Sequence, residues 1–187
     1  MSEIGIFYGG KDNGSTAKVA RKIQELFSAD KATVHNVSSA TKLDVEKYDF
    51  LVLGTAAWGI GEMHSDWERF IDKLVEADLG SKKIALFGLG DQKIYPESFV
   101  DGMGTIFCRL PNKENVVGYT STRGYKFYYS TAEKDGQFVG LAIDDDKWVR
   151  RIVAERMEPD GDARVVVRIT PLALPAAAQR DLLEAMA

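Results

Sequence analysis

Residues 9–16, Gly9-Gly-Lys-Asp-Asn-Gly-Ser-Thr16, place glycines, two hydroxyls and a lysine between an apolar run and an amphipathic one. At the start of a helix such a segment suits a phosphate group. The first turn has N–H groups without partners and a partial positive charge, and glycines let the backbone curl around an anion. Gly9, Gly10, Asn13 and Gly14 shape the loop, and Ser15 and Thr16 add hydroxyl donors. No Gly-Lys-Ser/Thr closes it, so it is not a Walker A loop. Lys11 is read first as a solvated loop lysine. Two later segments carry aromatic residues: Gly54-Thr-Ala-Ala-Trp-Gly-Ile-Gly-Glu62, with Trp58 at its tip, and Gly88-Leu-Gly-Asp-Gln-Lys-Ile-Tyr95. An indole and a phenol on converging loops can sandwich a flat heteroaromatic ring by stacking. The chemistry implied is retention of a flat, phosphorylated ring.

The elements that position these loops alternate in type. Ile4–Tyr8, Phe50–Gly54 and Ile84–Gly88 are short apolar runs, as expected of strands buried on both faces. Ala32–Asn36 reads as a strand nearer an edge. Val19, Ile23 and Leu26-Phe27 share one face of a first helix, and Trp67, Phe70, Ile71 and Leu74 share one face of another. A further helix is expected over 99–110. Val116–Gly118 and Phe138–Ile143 read as two pieces of a last strand, separated by the polar, Tyr-rich segment 119–137. Strand–helix alternation predicts a doubly wound parallel sheet with helices on both faces. Ligands bind such sheets at the carboxyl ends of strands, so the three loops are expected to meet.

Composition narrows the function. The 187 residues carry a formal net charge of -4 and a sequence pI of about 5.3, which argues against nucleic-acid binding. A single cysteine, Cys108, leaves no internal disulfide and no multi-cysteine metal site, and it is expected to be a small core residue. His35 and His64 are expected to be exposed, and Trp67 to be core packing. The start lacks a secretion-signal layout and no apolar run approaches the ~20 residues of a membrane span, so a cytoplasmic protein without membrane insertion is expected. All fourteen lysines fall at or before Lys147, whereas six of ten arginines lie from Arg150 onward. A helix at 148–157, a turn at 158–162, a strand at 163–169 and a helix at 175–186 are expected there. The division expected is a domain over 1–157 and a C-terminal extension over 158–187.

The run Ile-Gly-Ile-Phe-Tyr-Gly, the segment Trp58-Gly-Ile-Gly-Glu-Met-His-Ser-Asp-Trp67, Gly-Leu-Gly-Asp-Gln with Tyr95 downstream, and Gly136-Gln-Phe-Val-Gly-Leu-Ala-Ile-Asp-Asp-Asp146 resemble long-chain flavodoxins over residues 3 to 150. The resemblance implies a five-stranded sheet of order 2-1-3-4-5, for which flavodoxin is itself the standing example, with the last strand split by the long-chain insertion. It further implies an electron-transfer protein, not an enzyme, holding FMN non-covalently. The phosphate would lie in residues 9–16, including Lys11. Thr55, Ala56, Ala57, Trp58, Gly59, Ile60 and Gly61 would flank the ring on one loop, and Gly88, Leu89, Gly90, Asp91, Tyr95 and Phe99 on another, with Asp146 on the ribityl side. Trp58 and Tyr95 would take opposite ring faces. The partners implied are redox donors and acceptors such as a flavodoxin reductase, met by a monomer.

The chain departs from the family pattern at three places. Its phosphate loop is one residue longer than Thr-x-Thr-Gly-x-Thr, with Gly10 and Asn13 in place of the first two threonines. Gly59 follows the flavin Trp, where long-chain members often carry a bulkier residue; a peptide that flips toward the ring on protonation is easier to turn at Gly. The Asn-Gln connection after Asp146 is absent. Residues 60–100 hold eight acidic and five basic side chains, so Asp66, Glu62, Asp91 and Glu97 would disfavour charge on the reduced ring, with Lys93 offsetting them in part. A flavodoxin-like quinone or nitro reductase is the alternative, although a stacked Tyr95 closes the space for its second substrate. A receiver-like module is the third reading, and it conflicts with loops bearing Gly, Trp and Tyr.

Overall fold

The computed structural model describes residues 4–27, 30–59 and 61–144. The expectations for Ile60, for Asp146 and for every element beyond it, with the boundary at 157, lie outside the described residues. Five parallel segments form the main sheet. They are β1 (Ile4–Tyr8), β2 (Ala32–Asn36), β3 (Phe50–Trp58), β5 (Lys83–Gly90) and β10 (Leu141–Asp144), in the order β10-β5-β3-β1-β2. β6 (Val116–Val117) pairs with the beginning of β5 through Ile84↔Val116, and β10 with its end through Leu141↔Phe87. These two pieces lie along one neighbour as halves of a single fifth strand, so the order 2-1-3-4-5 is the one observed.

The central strands β1, β3 and β5 are apolar in their middle residues because both faces are covered, whereas edge strand β2 is only partly buried. Phe7, Leu51, Leu53, Ile84 and Leu86 face α3 (Ser65–Val75) and α4 (Asp101–Arg109). Ile6, Val52, Ala85 and Phe87, one residue out of step, face α1 (Ser15–Phe27). The apolar stripes of α1 and α3 are the predicted ones, except that Leu26 is exposed. α2 (Lys42–Glu46) is a short addition, started by a reciprocal cap between Thr41 and Asp44.

Four boundaries differ from the sequence reading. β3 runs through Trp58 and folds back on β4 (Glu62–Met63) as an antiparallel hairpin, so the second loop is a hairpin with Gly59 and Gly61 at its tip. β5 continues to Gly90, which puts Gly88 and Leu89 inside the strand and not in a loop. The second half of the fifth strand begins at Leu141, because Phe138 belongs to a separate sheet. That sheet, β7 (Thr120–Ser121), β9 (Gln137–Phe138) and β8 (Glu133–Lys134), is built entirely from the Tyr-rich insertion and its flank. α4 starts at Asp101 and not at Phe99, because Val100 takes the left-handed conformation at φ 53. A β-branched residue rarely does so. Cys108 is exposed, since the buried face of α4 is Met103, Ile106 and Phe107 and residue 108 points away from it.

Candidate functional site at the carboxyl edge of the sheet

The loop after β1 is anchored by side chains from its neighbours. The Asn36 amide at the end of β2 donates to the Gly10 carbonyl (2.9 Å) and to Asp12 Oδ1 (2.7 Å). The Tyr8 hydroxyl donates to the same Asp12 oxygen (2.7 Å), and Arg21 donates to the Asp12 carbonyl (2.8 Å). The Tyr8 and Asn36 bonds hold the Asp12 carboxyl below the usual carboxylate range. Burial, and then the Asp12 carboxylate, push the Tyr8 phenol up. On the other side the Gly10 amide donates to Asp66 Oδ2 (3.1 Å), and the Asp66 carboxylate is held in turn by Arg69. His64, expected to be exposed, is half-buried and caps α3 by accepting the Asp66 amide on Nδ1 (3.1 Å). A cleft of about 520 Å³ lies between Lys11–Asn13 and the His64–Asp66 pair.

Beyond this tethered stretch the loop opens the helix. Gly14 donates to the Lys11 carbonyl (2.9 Å). The next three amides, of Ser15, Thr16 and Ala17, donate to no protein acceptor among the described residues. Thr16 is 7% exposed and Ala17 is wholly buried. Buried N–H groups of this kind call for an acceptor. No acidic side chain occupies the first turn of α1 to supply one. Ala17 was not singled out in the sequence; its signal was only its place one residue past the hydroxyls.

Below the loop, the Gly54 carbonyl accepts both the Gly9 amide (3.2 Å) and the Trp67 indole N–H (2.8 Å). Gly9 lies flat on that indole, with no room for a side chain. Trp67 is therefore core, as expected, and also ties α3 to two of the strand-end loops.

The hairpin tip rests on α4. Gly59 and Gly61 have φ of +53° and +86°, and Gly61 abuts Ser98 and Asp101 so closely that a Cβ would lie 2.8 Å from the Cβ of each. Ala56 and Ala57 are half-buried at the hairpin base, and Gly59 is exposed. On the third loop, Asp91 Oδ1 accepts the amides of Lys93 (2.9 Å) and Ile94 (3.0 Å), and the Asp91 carbonyl accepts the amide of Tyr95 (2.9 Å). This tight turn leaves Tyr95 47% exposed, beside exposed Ile94. Gln92 fixes the turn from within, donating its amide side chain to Asp144 at the end of β10 and accepting the Lys126 amide of the insertion. Tyr128 and Tyr129 both donate their amides to the Pro96 carbonyl (2.7 and 3.1 Å), so the insertion lies against this loop.

Three residues expected at the site lie buried. Thr55, Leu89 and Phe99 are at most 1% exposed. Phe99 packs against Tyr125, Phe127 and Phe138, ring to ring. Gly9 and Gly88 are buried as well, and they serve by allowing close packing. His35 stacks on Phe7 with centroids 4.8 Å apart and shares a hydrogen bond with the Tyr48 hydroxyl, and burial lowers its pKa. No cluster of metal-ligating side chains occurs among the described residues, and no helix there is long and apolar enough to cross a membrane.

An open parallel sheet with a row of unclaimed amides on its first helix, and an exposed phenol two strands away on the same edge, defines an α/β protein of the mononucleotide-binding kind. Residues 6–113 match the family model for flavodoxin. The chain is 41% identical to flavodoxin 1 of Salmonella typhimurium, over 83% of this chain and 95% of that one. It is 42% identical to flavodoxin 1 of Escherichia coli K12, over 84% and 90%. Among solved structures, the flavodoxin of Fusobacterium nucleatum bound to flavin mononucleotide superposes with a TM-score of 0.70 at 30% identity, over 83% of this chain and 99% of that one. The chain belongs to the flavodoxin family, whose members are electron-transfer proteins and not enzymes.

Proposed function

We propose that the chain carries single electrons between larger redox proteins on one non-covalently bound FMN. The observation that carries this reading is the set of amides of Ser15 and of buried Thr16 and Ala17, without an acceptor among the described residues, on the edge that also presents Tyr95. The residues present fit the cofactor. Those three amides, with the hydroxyls of Ser15 and Thr16 and the side chain of Asn13, would hold the phosphate, while Gly10 and Gly14 shape the loop. Lys11, on the exposed stretch, adds positive charge. Ala56, Ala57, Trp58, Gly59, Ile60 and Gly61 would border the ring on the hairpin, Gly90, Asp91 and Tyr95 on the opposite loop, and Asp146 the ribityl chain.

The bound flavin supplies one-electron chemistry, and the protein tunes it. Asp91 turns one carboxylate oxygen inward to its own loop, which makes a rigid seat for Tyr95. Tyr95, held by that turn and by Gln92, would exclude water from one ring face and leave no space for a second substrate. The carboxylates of Asp66, Glu62 and Glu97 add negative potential along the same edge and so oppose further negative charge there. Gly59 already has positive φ, so a peptide flip at the tip costs little backbone strain.

The three-stranded insertion supports placement in the long-chain subgroup, and we assign residues 1–157 to the FMN-binding domain and 158–187 to an extension. Ile94, Tyr95, Tyr128 and Tyr129 form an exposed apolar patch suited to a donor such as a flavodoxin reductase and to an acceptor, met in the cytoplasm by a monomer. Purified protein incubated with FMN and freed of excess should turn yellow, quench flavin fluorescence at a one-to-one ratio, and accept electrons one at a time in a redox titration. A colourless product, or steady oxidation of a nicotinamide by the protein alone, would overturn the reading.

A further inference from the structure

The first turn of α4 is packed from two directions. Gly102 lies against the Thr55 and Ala56 end of β3, and a Cβ there would stand 3.1 Å from the Ala56 carbonyl. Two residues on, Gly104 lies against the backbone of Thr131 and Ala132 in the insertion, with no room for a side chain. Directly before Gly102 stands Asp101, a carboxylate only 7% exposed. Its Oδ1 accepts the Thr131 amide (2.8 Å), and its carbonyl accepts the Thr131 hydroxyl (3.2 Å) and the Thr105 hydroxyl (3.1 Å). Its Cβ and Oδ2 form the surface on which Gly61 rests. One residue before it, Val100 is held in the left-handed region. Strain of that kind costs about 1–3 kcal/mol and persists only where the surroundings over-determine it.

Burying a carboxylate is unfavourable unless donors meet it, and an apolar side chain would fill the same space without that cost. Burial pushes the Asp101 carboxyl up, while the Thr131 bonds act in the opposite direction. The donor comes from the insertion, 30 residues away in sequence, and the other face of the group supports the hairpin tip. We infer that Asp101 is a positioning residue through which the insertion seats the turn at Gly59–Gly61 and biases the ring held there against negative charge. This rests on the FMN reading above. The seat is steric, through Cβ against Gly61. The bias is electrostatic, since a charge in a low-dielectric interior acts over longer distances than one in water.

Two measurements separate these elements. Asp101→Asn keeps the shape and an acceptor for Thr131 but removes the charge. Oxidised FMN should bind to this variant within about threefold of the natural chain. The equilibrium of the couple that places full negative charge on the ring should shift about tenfold toward reduction, which is about 59 mV for one electron. The second measurement uses the natural chain alone. Adding FMN should slow hydrogen exchange at the Thr131 amide at least tenfold, although that residue belongs to the insertion and not to the ring's own loops. A couple unmoved in folded Asp101→Asn protein, or Thr131 exchange indifferent to FMN, would overturn the inference while leaving the FMN reading intact. A natural chain that takes up no FMN would overturn both.

Discussion

The two ends of the candidate site are built in different ways. At the phosphate end, a local feature does most of the work. A helix begins with three open amides directly after a glycine-bearing loop, and neighbours only tether the loop's outer half through Asn36, Tyr8 and Asp66. At the ring end the Asp91–Tyr95 turn is closed locally, but the supports that seat it and the hairpin come from far along the chain. The hairpin tip is seated by Asp101 at the start of α4 and by Ser98 just before it, and the Tyr95 loop by Asp144 and Lys126, 52 and 34 residues beyond Gln92. One end can be formed by its own segment once a helix starts; the other requires the assembled domain. Anion recognition should therefore tolerate changes that ring recognition does not.

The most severe test removes the element that joins the ends. Trp67 is wholly buried and bonds to the Gly54 carbonyl that Gly9 also uses. Trp67→Ala should cost about 3–5 kcal/mol of stability, read from denaturant unfolding. Survival with a loss below about 1 kcal/mol would show that the ends are independently supported. At the ring end, Gly61→Val meets both the left-handed backbone and the Asp101–Ser98 surface. Strain of about 1–3 kcal/mol there corresponds to roughly a 5- to 150-fold weaker affinity, and FMN and riboflavin should lose it equally in fluorescence titrations. Thr16→Val gives the opposite signature. Losing one hydroxyl donor should weaken FMN binding about tenfold, as for a hydrogen bond to a charged group, and leave riboflavin, which has no phosphate, unaffected. Equal losses of both ligands in Thr16→Val would end the division of labour.

Alkaline pH acts on both ends, since the Tyr8 phenol of the phosphate end is pushed up as well, and Tyr125 is the reporter of the long-range half. The Tyr125 hydroxyl donates to the Ala142 carbonyl (2.7 Å), and its pKa is pushed up to about 12, first by burial and then by Asp144. With the folded value above the unfolded value of about 10, the unfolded chain loses its proton first, so stability falls as pH rises from about 10 to 12. The slope contributed approaches about 1.4 kcal/mol per pH unit, and Tyr125→Phe should flatten that part of the profile. The smallest effect is expected at Lys11, exposed on the tethered half of the loop. Lys11→Gln should weaken FMN binding about twofold at low salt and not at all at high salt.

The strands themselves, their two-sided burial and a helix start suited to an anion were legible in the sequence because each depends on short-range pattern, whereas the order of strands followed from the resemblance to long-chain flavodoxins. Apolar runs of strand length, helical spacing at Val19 and Ile23, and a glycine–hydroxyl segment between them carry their meaning within about ten residues of chain. The Trp-bearing and Tyr-bearing loops were legible as loops bearing aromatics, and the insertion as a polar interruption. What the sequence concealed was decided by contacts across the fold. Thr55 and Leu89 sit beside the right residues in sequence yet face inward, because β3 and β5 run further than their apolar cores suggested. Phe99 lies under the insertion, and Cys108 faces outward, because α4 starts after a left-handed Val100 that no local preference announces. The support given to the hairpin tip by Asp101 and to the Tyr95 loop by Gln92 has no local signature, since a buried carboxylate or amide becomes stable only when a donor or acceptor from a distant segment arrives. Short-range pattern thus determined which segments the protein would build and where an anion would be welcome. Only tertiary packing decided how the ring's seat is shaped, because that seat is made of partners the chain brings together last.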